Sequence, residues 1–325
     1  MKPIPTTIPE PLRAFLAEMR EARRREVEAG CRFTPTHVRE AMEVMTRRYV
    51  TRVPSITLVR DEIVPGPDYS VPVRLYHAAP GEPRPVALFV HGGGHVAGSV
   101  SLYDPIARRL AEASGWLIIS VEYRLAPEYP YPRGLKDVVA CMKGIFGLLR
   151  TLDPAIAFAP RLALIGDSAG AALCASASHL GRNDPAISID RQVLIYPSLD
   201  YTLSQPSVIE NGEGFLLERQ RILWMFDCYF QQTENRRSCS PLFMPLHHRY
   251  PPTLLAIPEY CPLKDEGIAY ARRLREFRIP CEHIAYPGLV HAFLNLEDLA
   301  PEACGDLYGR IGAFLAGPPG AVDGF

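Results

Sequence analysis

The chain has 325 residues, long enough for one large domain or two modest ones. Its formal net charge of −1 supplies no global field for nucleic acid or an anionic membrane, and 47% hydrophobic with 22% charged residues is ordinary for a globular protein with a substantial core. Eight cysteines stand scattered, with no CxxC pair and no Cys/His cluster at zinc spacing, so the expectation is reduced thiols, no metal and no organic cofactor.

The N-terminal stretch carries no apolar signal-peptide core, and residues 9–29 are rich in Arg and Glu. Those residues predict a charged helix with Leu12, Phe15, Leu16 and Met19 at helical spacing, while Arg20, Arg23, Arg24 and Arg25 read as a solvated face balanced by glutamates. A second helix is predicted over about 36–49, with Pro35 suited to a helix start. No apolar run is long enough to span a bilayer, so a cytoplasmic protein is expected.

From about residue 55 the pattern turns to strands. Residues 55–60 and 71–76 predict an antiparallel pair, the second alternating Val71, Val73 and Leu75. Short continuous apolar runs follow at 86–90, 116–121, 162–165, 193–196, 253–257 and 283–286, as suits strands covered on both faces. Helices are predicted between and after them, near 104–114, 134–151, 169–181, 265–277 and 302–315. Such alternation gives an α/β fold, a mostly parallel central sheet flanked by helices. Two pieces break the rhythm: the helical stretch 1–50, and an insertion at about 201–240 carrying Phe215, Leu216, Leu217, Trp224, Met225 and Phe226. The organisation expected is therefore N-terminal cap helices over 1–50 and a catalytic domain over 51–325, interrupted by a cap insertion. Most of the insertion's apolar residues read as the cap's own core.

Three motifs carry chemistry. Gly166-Asp167-Ser168-Ala169-Gly170 follows one predicted strand and precedes an Ala-rich helix. A GxSxG there forms a sharp elbow whose small residues tolerate close backbone approach and leave the Ser168 hydroxyl exposed as a nucleophile. His91-Gly92-Gly93-Gly94 follows another strand. Without side chains, its amides can turn toward a substrate oxygen; the expected oxyanion donors are Gly93, Gly94 and Ala169, each worth about 3 kcal/mol in comparable sites. A phosphate loop is the competing reading of these glycines, but neither a Walker lysine nor GxGxxG spacing is present. His291 follows the last predicted strand on a loop and is the expected base, in the order serine, acid, histidine. His95 adjoins the glycine loop as a candidate pocket residue, and His247 and His248 read as loop residues.

With these motifs the chain resembles the hormone-sensitive-lipase-like family of α/β-hydrolases, in its bacterial carboxylesterase branch. The likeness extends over roughly residues 70–315 and adds Tyr123-Arg124-Leu125-Ala126-Pro127-Glu128 and Pro262-Leu263-Lys264-Asp265-Glu266-Gly267 to the three motifs above. It implies an α/β-hydrolase fold with a helical cap built from the N-terminus and a mid-chain insertion, and small or medium acyl groups as substrates. It also implies that Glu128 and Asp104 brace the oxyanion loop without entering the chemistry.

One position departs from the family. The resemblance places the catalytic acid at Cys261. A neutral thiol accepts hydrogen bonds weakly and stabilises an imidazolium poorly. Four explanations stand open: a substitute carboxylate (Asp200 foremost, with Glu259 and Asp265 close in sequence), a Cys261 thiolate beside the histidine, a slow enzyme for activated esters such as thioesters or lactones, or a scaffold turned to non-hydrolytic work. Tolerated drift at a small buried position is the bland alternative. The reading adopted is a serine hydrolase cleaving a carboxylic, acetyl, lactone or thioester bond through an acyl-serine, slow or specialised because of Cys261. A cyclase, lyase or small-molecule binder is the alternative. The expected partner is a small ester-type molecule, not nucleic acid, and a homodimer is left open.

Overall fold

In a computed structural model, residues 3–154, 156–182, 184 and 187–317 are described. Eight strands form one sheet in the order β1-β2-β4-β3-β5-β6-β7-β8. They are β1 (Leu58–Val64), β2 (Val71–His77), β3 (Arg84–Val90), β4 (Leu117–Val121), β5 (Phe158–Asp167), β6 (Arg191–Ile195), β7 (Thr253–Tyr260) and β8 (Cys281–Val290). β2 runs antiparallel to both β1 and β4, and every pairing from β4 across to β8 is parallel. The helices are α1 (Glu10–Glu28), α2 (Pro35–Tyr49), α3 (Asp104–Ser114), α4 (Arg133–Thr151), α5 (Ala169–Gly181), α6 (Ser207–Glu210), α7 (Arg219–Tyr229), α8 (Arg236–Cys239), α9 (Lys264–Glu276) and α10 (Pro301–Ala316). Among the described residues no helix is long and apolar enough to cross a membrane.

The pleat divides each central strand between two cores. On β3, Val86, Leu88 and Val90 belong to the core that also holds residues of α4, α5 and α9, whereas Ala87 and Phe89 belong to the one that holds residues of α1, α3 and α10. This two-sided burial is why the strands read as continuous apolar runs.

The first strand is displaced from the predicted 55–60 to Leu58–Val64, with Leu58 opposite His77 and Val64 opposite Val71. β1 is an edge strand whose Val59, Arg60, Asp61 and Ile63 are exposed, so the buried apolar run that locates the inner strands is missing there. β8 likewise runs on to Val290 through Pro287 and Gly288, which read as a loop; at a sheet edge a missing ladder donor is tolerated.

Chain order explains where a site forms. The chain leaves β3 for β4 on one side and leaves β5 for β6 on the other, so connections diverge at the carboxyl ends of β3 and β5 and leave a crevice there. Over that end lie α1, α2 and the 201–240 insertion. Arg39 of α2 donates to the carbonyls of Val96 (2.8 Å) and Ala126 (3.1 Å) and pairs with Glu128 at 2.6 Å. Arg20 of α1 donates to the Gly214 carbonyl of the insertion at 2.9 Å. The three consecutive arginines near the end of α1 pair with glutamates, Arg23 with Glu26, Arg24 with Glu21 and Glu28, and Arg25 with Glu21.

Candidate active site

β5 ends at Asp167 and α5 begins at Ala169, leaving Ser168 as the whole of the turn between them. Its φ of 52° is a strained value for a residue with a side chain. The strain is held by backbone bonds on both sides, Ser168 N–H to the Ile195 carbonyl (2.9 Å) and Ser198 N–H to the Ser168 carbonyl (3.2 Å). The flanking glycines are required by contact. A Cβ on Gly166 would fall 2.6 Å from the Ala171 nitrogen, and one on Gly170 would overlap the Val90 carbonyl.

His291 follows β8 directly and brings its Nε2 to 2.8 Å from Ser168 Oγ, although 123 residues separate them. The serine is 8% exposed and the imidazole 4%. Burial pushes the His291 pKa down to about 3, so the ring is neutral near pH 7. With Ser168 donating to Nε2, the ring proton resides on Nδ1.

That nitrogen faces Cys261, with Sγ 3.2 Å from Nδ1. Sγ also accepts from the Leu263 amide at 3.3 Å and is almost wholly shielded from solvent. Burial pushes the thiol pKa up, so a thiol and a neutral imidazole face each other rather than an ion pair. Desolvation thus works against both charges that the thiolate explanation requires.

The substitute carboxylates are engaged elsewhere. Asp200 accepts from the amides of Thr202 (2.9 Å) and Ser204 (3.0 Å) and from both their hydroxyls, ordering its own turn. Glu259 accepts from the Gly288 amide, and Asp265 from the Ser207 amide at the start of α9, each at 2.9 Å. Among the described residues no carboxylate hydrogen-bonds or ion-pairs with the His291 ring. Placing Asp200 beside the histidine is thus corrected: the residue sits at a neighbouring strand end, but its lone pairs are spent within five residues of chain.

The glycine loop lies beside the serine. Gly93 and Gly94 have φ of 118° and 63°, and neither amide donates to a protein acceptor among the described residues. Ala169 opens α5, where the first amides have no intrahelical carbonyl. Gly93 and Gly94 line the same cavity as Ser168, and Ala169 follows the serine directly in the chain. A Cβ on Gly93 would strike the Ala97 carbonyl, and one on Gly94 would strike the Met225 thioether of α7.

Asp167, the acid inside the elbow motif, braces this loop. Its Oδ1 accepts from the Gly92 amide at 2.6 Å, and Oδ2 lies 3.1 Å from the Tyr103 hydroxyl. Burial raises its pKa to about 7. The brace expected from Asp104 is absent: that residue accepts from Tyr76 (2.9 Å) and Arg108 (2.6 Å) at the head of α3. Glu128 reaches the loop only through Arg39. Tyr103, Asn295, Arg39 and Tyr196, whose ring packs 4.8 Å from the His291 ring, were also unmarked by any motif, though an acid inside a serine elbow was a usable signal. His95 is not a pocket residue; it is buried, stacked on Tyr229 at 3.8 Å, with Nε2 3.2 Å from the Tyr201 hydroxyl. His247 and His248 lie in the connection before β7, as expected.

Ser168, His291, Gly93 and Gly94 line one cavity of about 490 Å³, within the usual range for small-molecule sites. Its far walls come from α1, α2 and α7, including Met19, Met42, Met45 and Met225.

Residues 87–295 match the α/β hydrolase fold family, and the chain belongs to it, in the hormone-sensitive-lipase-like esterase branch. Among curated relatives, ethyl acetate hydrolase of Pseudomonas putida is 33% identical over 72% of this chain and 75% of its own length. Carboxylesterase NlhH of Mycobacterium tuberculosis is 32% identical over 72% and 74%. An esterase structure from Pyrobaculum calidifontis superposes with a TM-score of 0.81 at 29% identity, covering 95% of this chain and 98% of that one.

Proposed function

We propose that the protein, a carboxylester hydrolase, cleaves its ester through an acyl-enzyme on Ser168. The observation that carries this reading is the 2.8 Å approach of Ser168 Oγ to His291 Nε2 on the wall of an apolar cavity, beside unengaged backbone amides. In the proposed cycle His291 takes the hydroxyl proton as Oγ attacks the carbonyl carbon. The amides of Gly93, Gly94 and Ala169 receive the developing oxyanion. Collapse expels the alcohol, which takes the proton back from Nε2. Water then attacks the acyl-enzyme with the same base and returns Ser168.

The thiol at the acid position favours a slow or specialised enzyme. When Nε2 is protonated, a neutral thiol 3.2 Å from Nδ1 offers no charge to offset the imidazolium. Esters with good leaving groups, thioesters and strained lactones suffer least from this. Wild-type protein should give a burst and turnover with p-nitrophenyl acetate that Ser168→Ala abolishes, and should be labelled by a fluorophosphonate. Absence of both hydrolysis and labelling would move the assignment to a non-hydrolytic cyclase, lyase or binder.

A further inference from the structure

We propose that Arg221 binds a carboxylate carried by the substrate, so that the preferred ester is anionic. The proposal rests on Ser168 being the nucleophile of the same cavity. Arg221 opens the first turn of α7 and lines that cavity, half-buried. Its guanidinium lies over the Phe33 ring, 5.4 Å from the centroid, yet makes no hydrogen bond or ion pair with protein among the described residues. Burial lowers its pKa, the mark of a cation withdrawn from water.

The neighbouring acids do not complete it. Glu26 pairs with Arg23 at 3.2 Å and faces His37 Nε2 at 3.3 Å, while Glu218 faces Arg23 at 3.7 Å and the Gly214 amide at 3.4 Å. Glu18 is matched to Arg48 at 3.6 Å, and Glu40 is an exposed residue of α2. Arg23 thus uses the local carboxylates, and Arg221 keeps its five N–H donors for whatever enters the cavity.

The placement suits an ester substrate. Met225, four residues on and therefore on the same face of α7, is the side chain that a Cβ on Gly94 would strike. Arg221 sits one turn away, about 6 Å along the helix axis. A carbonyl held by the glycine amides would leave a charge a few bonds distant within reach of the guanidinium, with the methionine-lined wall covering the chain between. A forked guanidinium in such a setting is matched to the two oxygens of a carboxylate.

The carboxylate could belong to either half of the ester, and two substrate pairs separate the cases. p-Nitrophenyl hydrogen glutarate against p-nitrophenyl pentanoate tests the acyl half; 4-acetoxybenzoate against 4-methylphenyl acetate tests the alcohol half. In at least one pair, Arg221→Gln should lower the anionic-to-neutral ratio of kcat/KM by about 10- to 100-fold, through KM, with Arg221→Lys retaining part of it. An unchanged ratio in both pairs, or an equal loss on charged and neutral esters, overturns the proposal. Titration of glutarate and of 4-hydroxybenzoate into Ser168→Ala protein reads binding independently of the nucleophile. Saturable binding of either acid lost in the Arg221→Gln background supports the site even if hydrolysis fails, and no binding of either refutes it.

Discussion

Replacing Cys261 by Asp places a carboxylate where Sγ now stands 3.2 Å from His291 Nδ1. In the wild type both partners are neutral, so the imidazolium formed during attack gains nothing from the thiol beyond a weak contact. An aspartate charge about 3 Å from that ring, at an effective dielectric of about 20, is worth roughly 5 kcal/mol of attraction. Against this stands the cost of burying a carboxylate at a position 1% exposed, where the Leu263 amide is a second available donor. A net gain of about 3 to 4 kcal/mol corresponds to roughly 100- to 1,000-fold in kcat, below the 10⁴-fold seen when comparable triads lose their acid. The assay is steady-state hydrolysis of p-nitrophenyl butyrate, with the melting temperature checked in parallel. The acidic limb of the pH profile should move as well. His291 is held down to about 3 by burial, and an adjacent anion raises it, so Cys261→Asp should lose activity at a higher pH on acidification. A folded Cys261→Asp protein no faster than wild type, with an unmoved limb, would falsify the placement of the acid at this position.

Buried imidazoles set a pH dependence of stability. Burial holds His91 at about 4, and His95 and His291 at about 3, below the unfolded value near 6.5. Between those values the unfolded chain binds more protons, so stability falls as pH drops from about 6.5 toward 3, by roughly 1 to 2 kcal/mol per imidazole between pH 7 and 5. Asp167 acts oppositely: raised to about 7, it binds its proton in the folded state first and adds stability as pH falls from 7 toward 4. Asp167→Asn should therefore steepen the acid-side loss in urea midpoint, and an unchanged slope would contradict the assignment. Arg39→Ala should remove the donors to Val96 and Ala126 and leave Glu128 unpaired, costing about 1 to 2 kcal/mol. Because the Val96 bond ties α2 to the segment following the glycine loop, KM for p-nitrophenyl butyrate should rise too; a stability loss with KM unmoved would limit Arg39 to packing.

The chain itself determined the sheet, the elbow and the histidine. Strands covered on both faces must be apolar throughout, so their positions show in any stretch of four or five residues, as from Val86 to Val90. Glycines forced by close contact, such as Gly166 and Gly170, leave an equally local mark. Edge strands leave less: solvent, not a core, covers Val59-Arg60-Asp61 of β1, so its sequence pattern points too early in the chain.

The site's electrostatics belong to the tertiary structure alone. The sequence leaves Asp200, Glu259 and Asp265 open as substitute acids, Asp200 foremost, but only packing directs each to its own amides and leaves Nδ1 facing a thiol. The same holds for Asp167, which became the loop's brace through a bond to Gly92, 75 residues away. Arg221 looks like any surface arginine in the sequence; only the folding of α1, α2 and α7 around one cavity spends the nearby carboxylates on Arg23 and leaves its donors turned inward. Burial and partner choice are sums over residues distant in the chain, and no local pattern encodes them.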